Sequence, residues 1–433
     1  MVYIGSSIFH RVLQLTKAEQ RGDAPGESEN ASAATCAPGF CEVGVYMDKV
    51  FLTGITGLVG SAFVVASLRD HEPRHFVCLV RHGGGMSAEE RVNKIIRDEC
   101  VFDGCPELAD FVLKHISVID GDVVTINPEE LAQHPLMQGV NKIFHCAADV
   151  NLGKDPTGKV FRINYNGTEN IVALAKLLKV EEFHYVATAY VAGKLVGTSY
   201  ERRPENNGFN NPYEESKFKA EMLVRDCGIP FTIYRPAIIT GRCSDGRIRK
   251  PLAFYRILEF LGKLKSHNCK KKGLSPVEWF NMQINFSTTP SQHVYFVPID
   301  YVQEAVTELF QLPATNQTYH VTGNSPVTTR QIEDTVCNVL RLDGVTVGAD
   351  SKGEKDTSLM LRFIGDLFPY FSSDIIFDQT NITAALGKEF VNRKYGTEGL
   401  ETLIRAFYRD YFPNVEWLQT LADAPIERQH NRD

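Results

Sequence analysis

The chain has 433 residues, 43% of them apolar and 23% charged, enough to bury the core of one large domain or two intimate ones. A formal net charge of -7 leaves no basic footprint for nucleic acid, and no apolar run reaches the length of a transmembrane segment. Of the ten cysteines only Cys36/Cys41 and Cys100/Cys105 lie close, neither with zinc spacing, so no metal is expected and reduced thiols point to a cytoplasmic chain.

Met1 to Ile8 lacks the basic start and apolar core of a secretory signal. Phe9 to Leu15 has the pattern of a short helix. From Gly22 to Gly44 the chain is rich in Gly, Ala, Ser, Pro and Glu without periodicity, so residues 1–46 read as a disordered extension. From Lys49 short apolar runs alternate with amphipathic ones. Strands are expected at Val50 to Leu52, Phe76 to Val80, Ile116 to Ile119, Lys142 to His145, Glu182 to Ala187 and Phe231 to Tyr234. Helices are expected at Leu58 to Leu68, around Glu89 to Ile96, and at Thr168 to Leu178 and Glu214 to Arg225. This alternation predicts an α/β fold with a doubly wound parallel sheet of Rossmann type over residues 47–241. Beyond Gly241 it breaks down. A helix over Leu252 to Leu264, a basic loop from Lys263 to Lys272 and a strand over His293 to Val297 belong to a smaller mixed lobe, residues 242–421. Some of its strands and helices are expected to return to the core. Residues 422–433 read as a flexible tail.

Thr53-Gly54-Ile55-Thr56-Gly57-Leu58-Val59-Gly60 follows the first strand and opens a helix. Glycines permit a tight turn and close backbone approach, and the helix N-terminus meets a pyrophosphate, so the segment reads as a dinucleotide-binding turn. Where an acid would bind the ribose of NAD, the second strand ends in Arg81, which suits a 2′-phosphate, with Arg91 near it; the plainer reading is a solvated arginine. Asp122, followed by Val123, either accepts from an adenine amino group or simply closes a turn. Ala147 and Ala148, small residues after a strand, let a cofactor lie against the backbone. His145 and Cys146 point to opposite faces of their strand and do not form a nucleophilic couple. Thr188 sits at a strand's carboxyl end, where its hydroxyl could meet a substrate oxygen. Tyr213 and Lys217 lie four apart on one helical face, where an ammonium beside a phenol lowers the tyrosine pKa. Two further features carry less. Gly348-Ala349-Asp350-Ser351 faintly matches a phosphopantetheine attachment site but is read as a loop. Phe254, Phe260, Trp279 and Phe280 offer an apolar lining or simply core.

The glycine pattern, Asn164-Tyr-Asn-Gly-Thr168, Thr188, Tyr213/Lys217 and Arg235-Pro236 together resemble the extended short-chain dehydrogenase/reductase superfamily from about Lys49 to Gly323. Ala187-Thr-Ala-Tyr-Val191, His145-Cys-Ala-Ala-Asp-Val-Asn151 and Asn211-Pro-Tyr-Glu-Glu-Ser-Lys217 look most like its thioester reductase and fatty acyl-CoA reductase branch, with a male-sterility-like NAD(P)-binding domain. That resemblance implies Tyr213 as proton donor, Lys217 holding the nicotinamide ribose, Thr188 on the reacting oxygen, and Asn164 placing the cofactor or a relay water. Pro236 joins the coenzyme-binding set. The implied reaction is NADPH-dependent reduction of an acyl-CoA or acyl-carrier-protein thioester to an aldehyde, with a second reduction to alcohol open. A nucleotide-sugar epimerase or dehydratase, a hydroxysteroid-type dehydrogenase and a non-catalytic NADP sensor are the alternatives on this scaffold. Oligomeric state is not legible.

Overall fold

The computed structural model describes residues 47–348, 355–412 and 415–425. The expected extension with its Phe9–Leu15 helix, the Cys36/Cys41 pair, Ala349 to Ser351 and residues 426–433 lie outside the described residues.

The strands β1 (Lys49–Thr53), β2 (His75–Val80), β3 (Ile116–Asp120), β4 (Lys142–His145), β5 (Glu182–Val186), β6 (Phe231–Pro236) and β7 (Gln317–Val321) form one parallel sheet. Its order is β3-β2-β1-β4-β5-β6-β7. Val50, Phe51 and Leu52 are each 0% exposed, so both faces of the central strand are covered, as a parallel sheet requires.

Helices α1 (Leu58–Asp70), α2 (Ala88–Phe102), α3 (Gly167–Leu178), α4 (Pro212–Arg225), α5 (Phe254–Lys272) and α6 (Ile299–Phe310) organise the rest. Helices α1, α2 and α6 cover one face, where Phe63 of α1 stacks on Phe144 with centroids 4.0 Å apart and meets Phe310 of α6 edge-on. Helices α3 and α4 cover the other, through Ile171, Leu174, Ala220 and Val224. The ends of α2 and α4 follow their sequence: a Ser87/Glu90 capping box starts α2, and Asn211 caps α4 with Pro212 at its first position. The strand order reverses between β1 and β4, where Thr53 pairs with His145, and this switch point opens the crevice at the sheet's carboxyl edge.

Two expectations for the later residues change. The basic run Lys263 to Lys272 is not a loop but the second half of α5, which ends at the left-handed Gly273. The reason is Lys265. It points inward, 0% exposed, and donates to the carbonyls of Pro276 (2.8 Å), Glu278 (3.0 Å) and Leu340 (2.7 Å). Its remaining lysines face outward, so the charge run is one helix face plus a buried clamp. The strand expected over His293 to Val297 is two short pieces, His293–Val294 and Phe296–Pro298, pairing with different partners.

Burial lowers the Lys265 pKa to about 8, yet its three acceptors depend on it. Lys265→Met should therefore lower stability by about 2–3 kcal/mol at neutral pH in urea unfolding, because three carbonyls, the buried one of Leu340 among them, lose their donor.

Candidate functional site

The turn after β1 is shaped by what it lacks. Gly54 has φ +86°, and a Cβ there would stand 2.6 Å from the Ala147 nitrogen and 2.7 Å from the Cys146 carbonyl carbon. A Cβ on Gly60 would press into the Gly54 carbonyl. Gly57 donates to that carbonyl at 2.9 Å and caps α1, with Thr56 half-buried in the turn between. Strand, turn and helix thus close without side chains between them, and Gly57, Leu58 and Val59 face an open cavity. Such a cradle at a helix N-terminus fits a dinucleotide pyrophosphate.

Several residues expected around that cradle are committed to the protein itself. Thr53 is fully buried; its hydroxyl meets His145 Nδ1 at 2.6 Å and accepts from the Ala147 amide. Its part is to hold the turn to β4. Burial keeps His145 neutral, with a pKa of about 3, between Thr53 and Thr168, and pushes the Cys146 thiol up to about 11. Arg81 pairs with Asp122 at 3.1 Å, and Arg91 bonds to the Arg81 carbonyl. The Asp122 carboxylate also accepts from Val124 N, which is the turn closure weighed from sequence. Val123 is buried under Gly167 in the core. Ala147 packs against the core beneath α3 and α4 while Ala148 lines the cavity. Asn164, on a π-helical turn at Arg162–Asn166, accepts from Asp149 N (2.8 Å) and donates to Asp149 O and Ser216 Oγ (both 3.0 Å). Its amide is spent tying the β4 loop to α4, so it shapes the site rather than reaching into it.

Thr188, Tyr213 and Lys217 line one cavity of about 480 Å³. Thr188 caps a short 3-10 turn after β5, its hydroxyl accepting from Tyr190 N at 3.3 Å, and that hydroxyl sits close enough to the Tyr213 phenol to oppose the effect of burial on its pKa. Lys217 Nζ donates to the Val186 carbonyl at 2.7 Å and sits 4.3 Å from the Tyr185 ring centroid. The expected lowering of the Tyr213 pKa by Lys217 is corrected: burial pushes the phenol up to about 12. Burial also brings Lys217 down to about 8, and its ammonium is directed at β5 rather than at the phenol. Pro236 lines the cavity, and its carbonyl accepts from Thr188 at 3.5 Å.

The far wall was not anticipated. Tyr190 and Tyr370 meet edge-to-face with centroids 4.7 Å apart, and the Tyr370 hydroxyl accepts from Asn211, the cap of α4. These partners are 159 residues apart, so no local pattern announces them. Leu252, Phe254, Leu367 and Phe371 complete an apolar wall. Of the four aromatics considered from sequence only Phe254 lines the cavity. Phe260 packs on Phe363, Trp279 lies beside Arg341, and Phe280 starts a strand paired with Leu342–Val347. Among the described residues no group of three or more His, Cys, Asp or Glu could hold a metal ion, and no helix is long and apolar enough to cross a membrane.

The sequence model of the family described as "Male sterility protein" matches residues 52–306. The "Non-canonical nonribosomal peptide synthetase FrzA" of a Cladobotryum species is 28% identical over 290 residues, 63% of this chain and 26% of that protein. The "Carboxylic acid reductase" of Mycobacterium marinum is 25% identical over 320 residues, 67% of this chain and 26% of that protein. The chain therefore spans about a quarter of the length of these curated relatives. Among solved structures, a thiolation-reductase di-domain from an archaeal non-ribosomal peptide synthetase superposes with TM-score 0.64 at 22% identity, covering 84% of this chain and 76% of that one. A UDP-glucuronic acid 4-epimerase from Bacillus cereus reaches 0.55 at 16%, covering 83% and 98%.

Gly54→Ala should destabilise the chain by about 3 kcal/mol, since it adds left-handed backbone strain to a backbone clash. Thermal unfolding reads this, and an unchanged midpoint would contradict the close approach described.

Proposed function

The chain belongs to the male sterility protein family, and from that membership we propose that it is an NADPH-dependent reductase of acyl thioesters. One observation carries the reading: the glycine turn, Thr188, Tyr213 and Lys217 all border the same cavity, whose far wall is apolar. The cradle at Gly54 to Gly60 would hold the pyrophosphate, and Lys217 the nicotinamide ribose. The exposed Arg81–Asp122 pair is the kind worth under about 1 kcal/mol, so a 2′-phosphate displaces Asp122 from Arg81 at little cost.

Bound NADPH supplies a hydride equivalent to the thioester carbonyl carbon. Thr188 and Tyr213 donate hydrogen bonds to the carbonyl oxygen, and Tyr213 passes its proton there as the negative charge develops. The resulting hemithioacetal collapses as its hydroxyl proton returns to Tyr213 and the carbon–sulfur bond breaks with its electron pair on sulfur; the thiolate takes a proton from water, which leaves an aldehyde and a free thiol. The apolar wall takes the acyl group. Relatives named as peptide synthetases, and the structural likeness to a thiolation-reductase pair, support a carrier-protein thioester as donor, with acyl-CoA sharing the same chemistry. A sugar-nucleotide epimerase on this scaffold would favour a polar lobe and an acid where Arg81 stands.

Mixing the protein with NADPH and a panel of acyl-CoA and carrier-bound thioesters, and following NADPH absorbance with product identification, tests this directly. Turnover of a UDP-sugar with no thioester-dependent oxidation would sink it. Tyr213→Phe should cut kcat by about 10²–10⁴ while NADPH binding, read by fluorescence, stays within about twofold. Arg81→Asp should move the NADPH/NADH ratio of kcat/KM towards NADH by at least about tenfold. The pH profile has a definite sign. With Lys217 near 8 and Tyr213 near 12, kcat/KM should fall as pH rises through about 8, where the lysine loses its charge while the tyrosine keeps its proton.

A further inference from the structure

The cavity wall carries three cations, Lys217, Lys250 and Arg256, and no carboxylate, in a chain whose net charge is -7. Two of the three are committed. Lys217 is bound to the Val186 carbonyl, and Arg256 pairs with Asp366 at 2.6 Å and donates to Phe363 O. Lys250 is exposed and makes no hydrogen bond or ion pair with any described residue.

Its backbone is nonetheless held. The preceding Arg249 donates through Nε to the buried Glu99 carboxylate (2.8 Å) and through Nη2 to Ser61 Oγ (2.6 Å) and the Gly57 carbonyl (3.2 Å). The Ser61 hydroxyl in turn reaches Glu99 at 2.6 Å. Pro251 follows and biases Lys250 to an extended backbone. Ala253, two residues on, lines the cavity in a strained conformation at φ +45° and leads into α5. The segment 249–254 is thus anchored at one end to the first turn of α1 and at the other to a long helix. It presents one free ammonium where the cavity meets solvent.

We propose that Lys250 is a phosphate-binding residue at the mouth of this cavity, positioned by the Arg249 anchor. A free cation on a pinned backbone, beside a glycine turn and on a wall without carboxylates, selects an anion rather than a neutral group. The proposal rests on the reductase reading, under which the ligand chemistry is a phosphate ester. That phosphate has two sources: the coenzyme, or the pantetheine arm that carries the acyl group. Lys250 is the feature of the mouth that would distinguish a phosphate-bearing ligand from a neutral one of the same shape.

The test uses the full chain and direct binding, so it does not depend on turnover. Dissociation constants for CoA, pantetheine and NADPH are measured on the wild type, Lys250→Glu and Lys250→Arg. The proposal expects Lys250→Glu to weaken one phosphate-bearing ligand by about tenfold or more, the size of one charge-assisted hydrogen bond, with Lys250→Arg retaining most of the affinity. CoA weakened with pantetheine unaffected assigns the phosphate to the acyl carrier arm. NADPH weakened with CoA unaffected assigns it to the coenzyme. If CoA and pantetheine weaken equally, or if neither CoA nor NADPH moves, the lysine does not read phosphate and the proposal is overturned. The reductase reading fails separately, when the wild type oxidises NADPH with no thioester whatever Lys250 binds.

Discussion

The hydrogen bond from Lys217 Nζ to the Val186 carbonyl, at 2.7 Å, joins helix α4 to the carboxyl end of β5. Both ends of that bond matter. Val186 is two residues before Thr188, and Lys217 is one helical turn after Tyr213, so a single buried contact sets the threonine and tyrosine hydroxyls against each other. Lys217 is only 2% exposed, and an ammonium so buried is retained where it has a strong acceptor and, here, an aromatic face. Asn164 reinforces the arrangement from below by binding Ser216 on the same helix. The Asn211 cap reinforces it from above by holding Tyr370. The helix that carries Tyr213 and Lys217 is thereby tied to the sheet, to the β4 loop and to the far wall.

Burial sets the protonation states of this centre more strongly than neighbouring charge does. His145 is kept neutral, Cys146 is kept as a thiol, and Tyr213 is kept protonated to about 12, all with desolvation as the largest cause. A phenol in that state is an acid throughout the neutral range. The absence of carboxylates from the cavity wall acts in the same direction, leaving a surface of apolar groups, hydroxyls and cations that suits a developing oxyanion.

Much of the sheet was readable because a parallel strand buried on both faces must be a short, continuously apolar run, and this chain keeps such runs separate. The Lys142 to His145 strand and the helices starting near Leu58, Thr168 and Glu214 follow that logic closely. The later lobe resisted it. Lys265 belongs to a run of lysines that reads as a basic loop, and only the three carbonyls gathered around it show why this one turns inward. The sequence offers Arg81, Arg91 and Asp122 as separate candidates for the coenzyme, with a solvated arginine and a turn as the plainer readings, whereas in the structure Arg81 meets both of the others, since spacing says nothing about which neighbour a long side chain will choose.

The sequence by itself determined the alternating α/β architecture, the glycine turn after the first strand and the pairing of Tyr213 with Lys217 on one helix face. Each of these is a local property: a period, a missing Cβ, a spacing of four. Only the tertiary structure decided that Lys217 serves β5, that Asn164 and Thr53 are spent on scaffolding, and that Tyr370 and the segment from Arg249 to Phe254 close the cavity. Those outcomes depend on contacts between residues far apart in the chain, such as Asn211 with Tyr370 and Arg249 with Gly57. A linear pattern carries no record of which distant surfaces will be pressed together when the core is buried.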